Sequence, residues 1–560
     1  MNRLVTEPSP SVQSSATGLS RGPSYGARMT SPHAARRRSA ALVLACSVGL
    51  LASTATAQAT PPEREITLTP IGTYQTGAFD EGASEIVAHD ARSQRVFVVN
   101  AQAGTVDVLD ISDPTQPTRV TSLDAPGANS VAVHGRVIAV AEQADDKTDP
   151  GTVAFFDADS LERARTVTVG ALPDMVTFTD NGRYALVANE GEPEGYCEGQ
   201  VDPEGSVSVI DLRRGVHRAT VRTADFHAFD GQADELRAAG VRVFGPGASV
   251  SQDLEPEYIA PSGNGRTAYV TLQEANAVAV VDIASATVTD VRPLGLKDHS
   301  VAGAGLDPSD RDDAIAIGTW PVQGMYQPDA IGAYQGRGGE YLVTANEGDA
   351  REYDCFEEES RVKDVTLSPN AFPDAKALQQ NAALGRLTMT TTSPADEEGR
   401  YTRIDAFGAR SVSVWDARTG AQLWDSGDQI AQLLADEAPE IFNAAHDETG
   451  SADDRSDAKG AEPEGLDLGT VGGRDIAFVG LERASAIVAV DVTDPRSARI
   501  AGWGTNRDES GDAEAGTAGD LGPEGIHFIP AAQSPNGQPL LLVGNEVSGT
   551  TTVWQVGTGR

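Results

Sequence analysis

The stretch Gly104-Thr-Val-Asp-Val-Leu-Asp110 contains the pattern that decides the fold of this 560-residue chain. A small residue is followed by alternating apolar positions, and the stretch closes on an aspartate. Period-two alternation with β-branched residues predicts a β-strand. The closing aspartate is typical of a turn, because its carboxylate accepts hydrogen bonds from the backbone N–H groups that follow it.

Six further copies of this pattern follow along the chain. They are Gly151–Asp157, Gly205–Asp211, Asn276–Asp282, Arg410–Asp416, Ser485–Asp491 and Gly549–Gln555, the last of which ends in glutamine. A short unit repeated this often predicts an array of similar sheets rather than several unrelated domains. The longest interval lies between Asp282 and Asp416, which indicates an insertion within a single unit.

Two more predicted strands precede each copy, and both carry polar marks. The nearer strand ends in turn at Asn100, Glu142, Glu190, Glu274, Glu347, Glu482 and Glu546. The farther strand opens in turn at Glu85, Asn129, Asp174, Glu257, Asp329, Glu464 and Glu524. A fourth strand follows the closing aspartate, as at residues 163–169 and 287–294. Four short strands per unit are typical of one blade of a β-propeller.

The seventh unit lacks a fourth strand of its own, because Arg560 follows soon after it. Residues 66–74 form a spare predicted strand of suitable length. We therefore predict an all-β fold: a seven-bladed β-propeller, YVTN/WD40-like, in which residues 66–74 complete the last blade and close the ring. An open array of β-sandwiches is the alternative.

The N-terminal region is predicted to direct export. A basic cluster at residues 36–38 precedes an apolar run at residues 40–51 and small residues suited to cleavage near 57–59, the order found in a signal peptide. We expect residues 1–57 to be an N-terminal extension and signal peptide, with Met29 as an alternative start. The remaining expected boundaries are a linker at 58–65, a propeller at 66–556 and a tail at 557–560. The expected location is secreted, periplasmic or otherwise extracellular, and no later run has the ~18 apolar residues of a membrane span.

The charge balance limits the partners. The chain has 43 basic and 82 acidic residues, a formal net charge of −39. Nucleic acids and anionic membranes would be repelled, so neither is expected as a partner. Divalent cations and neutral or cationic ligands remain compatible, and we expect an extracellular ligand, carbohydrate or protein.

Cys197 and Cys355 are the cysteines left once the signal is removed. Each follows a glutamate-terminated strand, Cys197 seven residues after Glu190 and Cys355 eight after Glu347. Near-equal offsets from equivalent strands place both thiols over one face, so we predict a disulfide between the loops of units 3 and 5. Two free buried thiols are the alternative.

Carboxylates recur at equivalent strand ends, which predicts an acidic ligand site at one mouth of a central channel. The predicted ligand-binding residues are Glu190, Glu192, Glu347, Asp349, Arg351, Glu464, Glu482, Glu524 and Glu546. Converging carboxylates repel one another unless protons or cations intervene, and oxygen ligands suit Ca²⁺, the expected cofactor. Alternatively, each glutamate bonds backbone N–H groups of the next blade and has a structural role.

A second predicted calcium site lies in the loop at residues 307–313. Asp307, Asp310 and Asp312 space carboxylates as cation-binding loops do, but the loop lacks the glycine and the terminal glutamate of an EF-hand. A solvated turn is the alternative interpretation.

Longer stretches of the chain resemble the choice-of-anchor I family of exported bacterial proteins. Among these stretches are FGPGASVSQDLEPEYIA (244–260), WPVQGMYQPDAI (320–331), DDRSDAKGAEPEG (453–465) and GNEVSGTTTVWQV (544–556). The resemblance runs from about Ile66 to Val556. It implies a propeller outside the cytoplasm, similar to the mesenchyme-specific cell-surface glycoproteins of animals. Some members carry alkaline-phosphatase or phytase-like labels, but the resemblance assigns no catalytic residues.

Two functions are therefore weighed. The first is a secreted binding or scaffold module with an acidic, divalent-cation-binding mouth; the second is a metal-dependent phosphoesterase. The sequence contains no G-x-S-x-G, H-E-x-x-H or G-x-x-x-x-G-K-[ST] motif. An enzyme acting on phosphate needs basic side chains that converge with the metal. The basic residues that lie near the acidic motifs in sequence are Lys297, Arg351, Lys363 and Arg403. So few cations favour the binding module.

Overall fold

The computed structural model describes residues 65–559, which form an all-β, propeller-like fold. These residues contain seven four-stranded antiparallel sheets, numbered here in chain order. The predicted signal peptide, its cleavage site near 57–59 and the linker up to residue 64 lie outside the described residues. Within the described part of the chain, no helix is both long and apolar enough to cross a lipid bilayer.

Each sheet takes its strands in order along the chain, from an inner first strand to an outer fourth strand. Sheet 1 consists of Val87–Asp90, Arg95–Asn100, Thr105–Asp110 and Thr118–Asp124. Sheet 2 consists of Ala128–His134, Val137–Glu142, Pro150–Asp157 and Arg163–Ala171. Sheet 3 consists of Pro173–Phe178, Tyr184–Asn189, Ser206–Asp211 and Thr220–Asp225. Sheet 4 consists of Pro256–Pro261, Thr267–Leu272, Ala277–Asp282 and Thr287–Pro293.

The remaining sheets follow the same plan, with one exception in sheet 7. Sheet 5 consists of Ile331–Gly336, Gly339–Asn346, Ser411–Asp416 and Gln422–Asp425. Sheet 6 consists of Pro463–Val471, Arg474–Leu481, Ala486–Asp491 and Arg499–Thr505. Sheet 7 consists of Pro523–Ile529, Leu540–Asn545 and Thr550–Thr558, with Ile66–Gln75 as its outer strand.

The outer strand of sheet 7 therefore comes from the other end of the chain. Ile66–Gln75 runs antiparallel to Thr550–Thr558, with Ile66 opposite Thr558 and Gln75 opposite Thr550. The last strand extends through Thr558, so the tail predicted to begin at residue 557 starts two residues too early. Gly557 and Thr558 are instead held by pairing with the N-terminal strand.

The inner strands meet around a shared space. The inner strand of each sheet contacts that of the next, and the inner strand of sheet 7 contacts that of sheet 1. Residues from all seven inner strands line a cavity of about 440 Å³, which we call the central cavity. Residues at the same position of each inner strand therefore lie at the same depth along the axis of this cavity.

Burial follows from face-to-face packing of neighbouring sheets. The second strand of sheet 3, Tyr184–Asn189, is buried at every residue, whereas the outer strand of sheet 1, Thr118–Asp124, is mostly exposed. Alternate residues of a buried strand therefore point to opposite faces of the sheet, and both faces pack against neighbouring sheets. Neither face is exposed to solvent. Small polar residues on the buried strands are satisfied within the sheet, since Asn189 donates to the hydroxyls of Ser206 and Ser208 at 3.2 and 3.0 Å.

The predicted turn role of the closing aspartates is confirmed. Asp110 accepts the backbone N–H of Ser112 at 2.8 Å, and Asp211 accepts that of Arg213 at 3.0 Å. Equivalent bonds form after Asp157, Asp282, Asp416 and Asp491. These Asx turns begin the loops that connect the third and fourth strands.

The insertions hold the helices and minor strands of the described residues. The α-helices are Ala233–Ala239, Val250–Asp253, Ala375–Leu378 and Gln429–Glu437. The 3₁₀ turns are Val216–Arg218, His227–Gln232, Val362–Asp364 and Pro439–Ile441. The minor strands are Leu296–Asp298, Gln323–Met325, Glu352–Tyr353, Phe356–Glu357, Glu359–Arg361, Thr388–Thr390 and Asp405–Ala406.

Replacing Ile66 by alanine tests whether the N-terminal strand is an integral part of sheet 7. Ile66 is 3% exposed and packs in one apolar cluster with Phe478 and Trp554. We expect the free energy of unfolding to fall by about 2–4 kcal/mol, measured by urea denaturation. The exposed neighbour Thr67, replaced by alanine, should change it by less than about 0.5 kcal/mol. Equal stabilities of the two variants would contradict this packing.

Candidate functional site

Six carboxylates and one asparagine occupy the same position at the start of the seven inner strands. They are Glu85, Asn129, Asp174, Glu257, Asp329, Glu464 and Glu524, and we call the six acids the carboxylate ring. In five sheets the inner strand shifts register beside this position, as between Pro173 and Val176 in sheet 3. Such a bulge redirects the side chain that it carries.

Neighbouring inner strands approach closely at this end of the cavity. A Cβ on Gly465 would collide with the backbone carbonyl of Glu524, and one on Gly525 would collide with that of Glu85. Glycine next to the ring acid is therefore required at both positions, because any side chain would push the two strands apart. Because Gly465 and Gly525 have no side chain, the inner strands of sheets 6, 7 and 1 approach closely, and their ring acids lie near one another.

Burial raises the pKa of every acid in the ring, and repulsion by neighbouring carboxylates raises it further. The pKa of Glu85 rises to about 8 and that of Asp174 to about 7. The pKa values of Glu257, Asp329, Glu464 and Glu524 are raised well above the usual range of carboxylic acids. Asp174 of sheet 3 repels Glu524 of sheet 7, so acids from distant sheets face one common space.

Three oxygens of the ring lack any hydrogen-bond partner among residues 65–559. They are the Oε2 atoms of Glu257, Glu464 and Glu524, all buried. Within the described residues, no lysine, arginine or histidine forms an ion pair with any ring acid. Leaving an ionised oxygen buried and unpaired costs several kcal/mol, so each of these groups requires a proton or a cation.

The glutamates that follow the second strands lie at the same end of the sheets. First and second strands are antiparallel, so the start of one adjoins the end of the other. Asn189 at the end of the second strand of sheet 3 pairs with Pro173 beside Asp174, which brings Glu190 next to the ring. Asn346 fixes Glu347 in the same way in sheet 5, donating to Ser411 and Ser413 at 3.1 and 2.9 Å.

Basic side chains neutralise part of this mouth. Lys459 lies 2.6 Å from Glu347 and 3.1 Å from Glu462, and Arg483 lies 3.3 Å from both Glu462 and Glu482. Burial opposes ionisation of Glu462, yet Lys459 and Arg483 lower its pKa to about 2. Lys459 and Arg483 were not among the basic residues expected near the acidic motifs, so more basic side chains lie at this mouth than the sequence predicted. Of the four that were expected, Lys297 instead bonds the carbonyls of Ala409 and Gly427.

Two groups of side chains in the described residues already place three ligand atoms within 4.8 Å of one another. They are Glu347, Glu462 and Glu482 in one group, and His446, Glu482 and Glu546 in the other. Lys459 and Arg483 form ion pairs with carboxylates of the first group. In the second, Arg483 donates to Nε2 of His446, while Nδ1 faces Glu482 at 2.7 Å. Both groups therefore already contain cationic side chains.

The structure corrects the prediction that Arg351 contacts ligand. Arg351 is 1% exposed, and its guanidinium pairs with Asp253 and, at 2.7 Å, with Glu255. It also lies 4.6 Å from the ring centroid of Phe244. The residue therefore ties the insertion after sheet 3 to the loop of sheet 5, and is not available at the surface.

Glu192 and Asp349, the other two acids predicted in these loops, differ in their exposure and their partners. Glu192 lies 2.6 Å from Lys147 and accepts a hydrogen bond from the hydroxyl of Tyr353, also at 2.6 Å. Asp349 is half-exposed, 3.8 Å from Lys459. Glu192 thus belongs to the covered part of the mouth and Asp349 to its open edge.

The predicted disulfide is present. Cys197 and Cys355 are bonded, with their Cα atoms 5.2 Å apart. The bond joins the loop after the second strand of sheet 3 to the loop after the second strand of sheet 5, and thereby spans sheet 4. Beside it, Tyr196 packs edge-to-face against Tyr353 and Phe356.

The predicted calcium loop does not bring its three aspartates together as a metal-binding group. Asp307 is buried and accepts backbone N–H groups of Ser309 and Ala316. Asp310 pairs with Arg386 at 2.9 Å, and Asp312 accepts the N–H of Ala314. Arg386 also binds Asp457 at 2.7 Å, so a guanidinium supplies the positive charge at this loop.

Four members of the ring were absent from the predicted site: Glu85, Asp174, Glu257 and Asp329. The sequence signal that could have found them is the polar residue opening each inner strand, which also marks Glu464 and Glu524. His299 is buried, and its Nδ1 lies 2.7 Å from the carbonyl oxygen of Ala304.

Comparison with protein families gives one match that covers well over half of the chain. Residues 85–495 match the family described as the choice-of-anchor I domain. The matched range begins at the first ring acid and ends after the third strand of sheet 6, so it includes five of the six ring acids.

Two curated proteins are similar in sequence. Gigasin-3a from Magallana gigas is 32% identical over 190 residues, covering 32% of this chain and 67% of that protein. The mesenchyme-specific cell surface glycoprotein of Strongylocentrotus purpuratus is 29% identical over 354 residues, covering 57% of this chain and 44% of that protein. This chain therefore spans less than half the length of the second relative.

Among solved structures, the β-propeller domain of Swd1 from Myceliophteria thermophila is similar with a TM-score of 0.41 and 10% identity. The likeness covers 88% of this chain and all of that domain.

Replacing Arg351 by alanine should be strongly destabilising, because Asp253 and Glu255 then remain buried without their counter-ion. We expect the free energy of unfolding to fall by about 3–5 kcal/mol in urea denaturation. The exposed Arg337, replaced by alanine, should change it by less than about 0.5 kcal/mol. A small effect at Arg351 would mean that the buried ion pairs do not hold the loops.

Stability without divalent cations should fall as the pH rises from about 4.5 to about 8. In this window the folded protein holds more protons than the unfolded chain, because the pKa values of ring acids such as Glu85 are raised on folding. Glu85→Gln should flatten the upper part of the decline in Tm, measured by calorimetry, whereas Glu81→Gln at an exposed position should not. A variant slope identical to that of the wild type would refute this assignment.

Proposed function

Because the chain belongs to the choice-of-anchor I family, we propose that it is an extracellular β-propeller that serves as a binding or scaffold module and holds divalent cations at its acidic mouth. The carboxylate ring is the observation on which this proposal rests. Six acids from six sheets face one space with no basic partner among the described residues, and three of their oxygens are buried and unpaired. Hard divalent cations such as Ca²⁺ are the natural counter-charge for oxygen ligands.

The seven sheets are, in this proposal, the blades of one closed seven-bladed propeller. The pairing of Ile66–Gln75 with Thr550–Thr558 supports closure, as does contact between the inner strands of sheets 7 and 1. A closed ring leaves no open sheet edge and keeps the ring acids at fixed separations.

An extracellular location agrees with two observations. The name of the Strongylocentrotus purpuratus relative describes a cell surface glycoprotein. The disulfide between Cys197 and Cys355 is of the kind that persists in oxidising compartments. The proposed ligand is therefore an extracellular carbohydrate or protein, bound at the mouth where cations offset the negative charge.

The phosphoesterase alternative receives less support. A phosphate-binding site needs basic groups that are free to meet an anion. Near this mouth, Arg351, Lys459 and Arg483 are each engaged by at least two carboxylates. The arrangement favours capture of cations over capture of phosphate.

Calcium should stabilise the protein after thorough chelation. Ca²⁺ at a hundred times its Kd should add about 2.7 kcal/mol to the free energy of unfolding, because it binds the folded state selectively. Differential scanning calorimetry with and without CaCl₂ measures the shift, with NaCl of equal ionic strength as the control.

Either of two results would contradict the proposal. If calcium caused no specific shift in Tm, the proposed function would not involve the cation. Turnover of a generic aryl phosphate by the wild type, abolished in Glu347→Gln, would establish the phosphoesterase instead.

A further inference from the structure

In sheets 3 and 4, the acids at both strand positions lack an ion pair among the described residues. Two glutamates that follow second strands, Glu190 in sheet 3 and Glu274 in sheet 4, form no ion pair within the described residues. Together with the ring acids Asp174 and Glu257 they make a group of four acids, which we call the sheet 3–4 quartet. The other three acids of the quartet all act on Glu257, whose pKa is raised first by burial and then by Glu274, by the ring acid Asp329 of sheet 5, and by Glu190 and Asp174.

The corresponding glutamates of sheets 2, 5 and 6 carry their own counter-charges. Glu142 in sheet 2 pairs with Arg163 at 2.7 Å. Glu347 in sheet 5 pairs with Lys459 at 2.6 Å, and Glu482 in sheet 6 pairs with Arg483 at 3.3 Å. A diffusing cation gains least where side chains already neutralise the acids, and gains most at the quartet.

A buried oxygen provides a second, independent observation. Glu257 is 8% exposed, and its Oε2 has no hydrogen-bond donor among the described residues. Buried polar groups in proteins are nearly always satisfied. The carboxylate thus presents an unused acceptor within the quartet, as expected of a ligand whose partner is an ion.

The quartet also lies beneath the loops joined by the disulfide. Tyr353, two residues from Cys355, donates to Glu192, which is also bound by Lys147. Burial raises the pKa of the Tyr353 hydroxyl, and Glu192, Glu255 and Glu274 raise it further, so this side chain faces the acids of sheet 4.

We propose that Asp174, Glu190, Glu257 and Glu274 bind one calcium ion between sheets 3 and 4. The inference rests on the cation-dependent function proposed above and names the sector that performs it. The four side chains are not among the groups with three ligand atoms already within 4.8 Å of one another. Ca²⁺ accepts irregular coordination by six to eight oxygens, including waters, whereas Mg²⁺ demands a near-ideal octahedron, so the quartet suits Ca²⁺ better.

Isothermal titration of the chelated full chain with CaCl₂ tests the site, and a matched pair of variants locates it. Glu257→Gln removes one charge from the quartet. Glu464→Gln removes the charge at the same strand position of sheet 6, where Oε2 is likewise buried and unpaired. We expect Glu257→Gln to weaken calcium binding by about tenfold or more, and Glu464→Gln by less than about threefold.

Every outcome is informative. A larger loss in Glu464→Gln than in Glu257→Gln would overturn the sheet 3–4 assignment while leaving the proposed function intact. No binding by the wild type would overturn both. Should Glu257→Gln fail to fold, Glu274→Gln replaces it with the same expected loss, and an anomalous scattering peak for calcium outside the quartet would also refute the assignment.

Discussion

The site depends on one constraint, the repulsion between carboxylates that the repeated inner strand brings together at one end of the central cavity. The inner strands of seven sheets surround the same space, so one acid at one strand position becomes six acids in three dimensions. Burial strengthens their repulsion, because water no longer screens it. The fold therefore contains a concentration of charge that must be neutralised wherever the acids ionise.

The protein meets this constraint differently from sheet to sheet. In sheets 5 and 6, Lys459 and Arg483 reach in from neighbouring segments and pair with Glu347, Glu462 and Glu482. In sheets 3 and 4, Glu190 and Glu274 form no ion pair among the described residues, although Lys147 pairs with the nearby Glu192. This difference makes the mouth asymmetric although the underlying sheets repeat. Function in a propeller of this kind resides in the irregular insertions as much as in the regular strands.

The insertions are themselves held by buried charge and by a covalent bond. Arg351 neutralises Asp253 and Glu255 in the interior, and the bond from Cys197 to Cys355 joins loops on either side of sheet 4. Buried ion pairs of this type are sensitive to the loss of one partner, which keeps the loops in a single arrangement. The loops near the acids are therefore held in place by residues that do not themselves face the mouth.

Much of the architecture was determined by the sequence alone. Alternating β-branched strands, aspartates that cap turns and the near-equal offsets of Cys197 and Cys355 are local signals, and the structure contains the strands, turns and bond that they predict. The opening acids of the inner strands were also visible, but their convergence depends on the curvature of the whole array. Tertiary structure alone decided which charges meet. Lys459 pairs with Glu347 across 112 residues of sequence, and Arg351 is buried rather than exposed. Such pairings depend on how long insertions fold over a sheet, and no periodic pattern encodes that path.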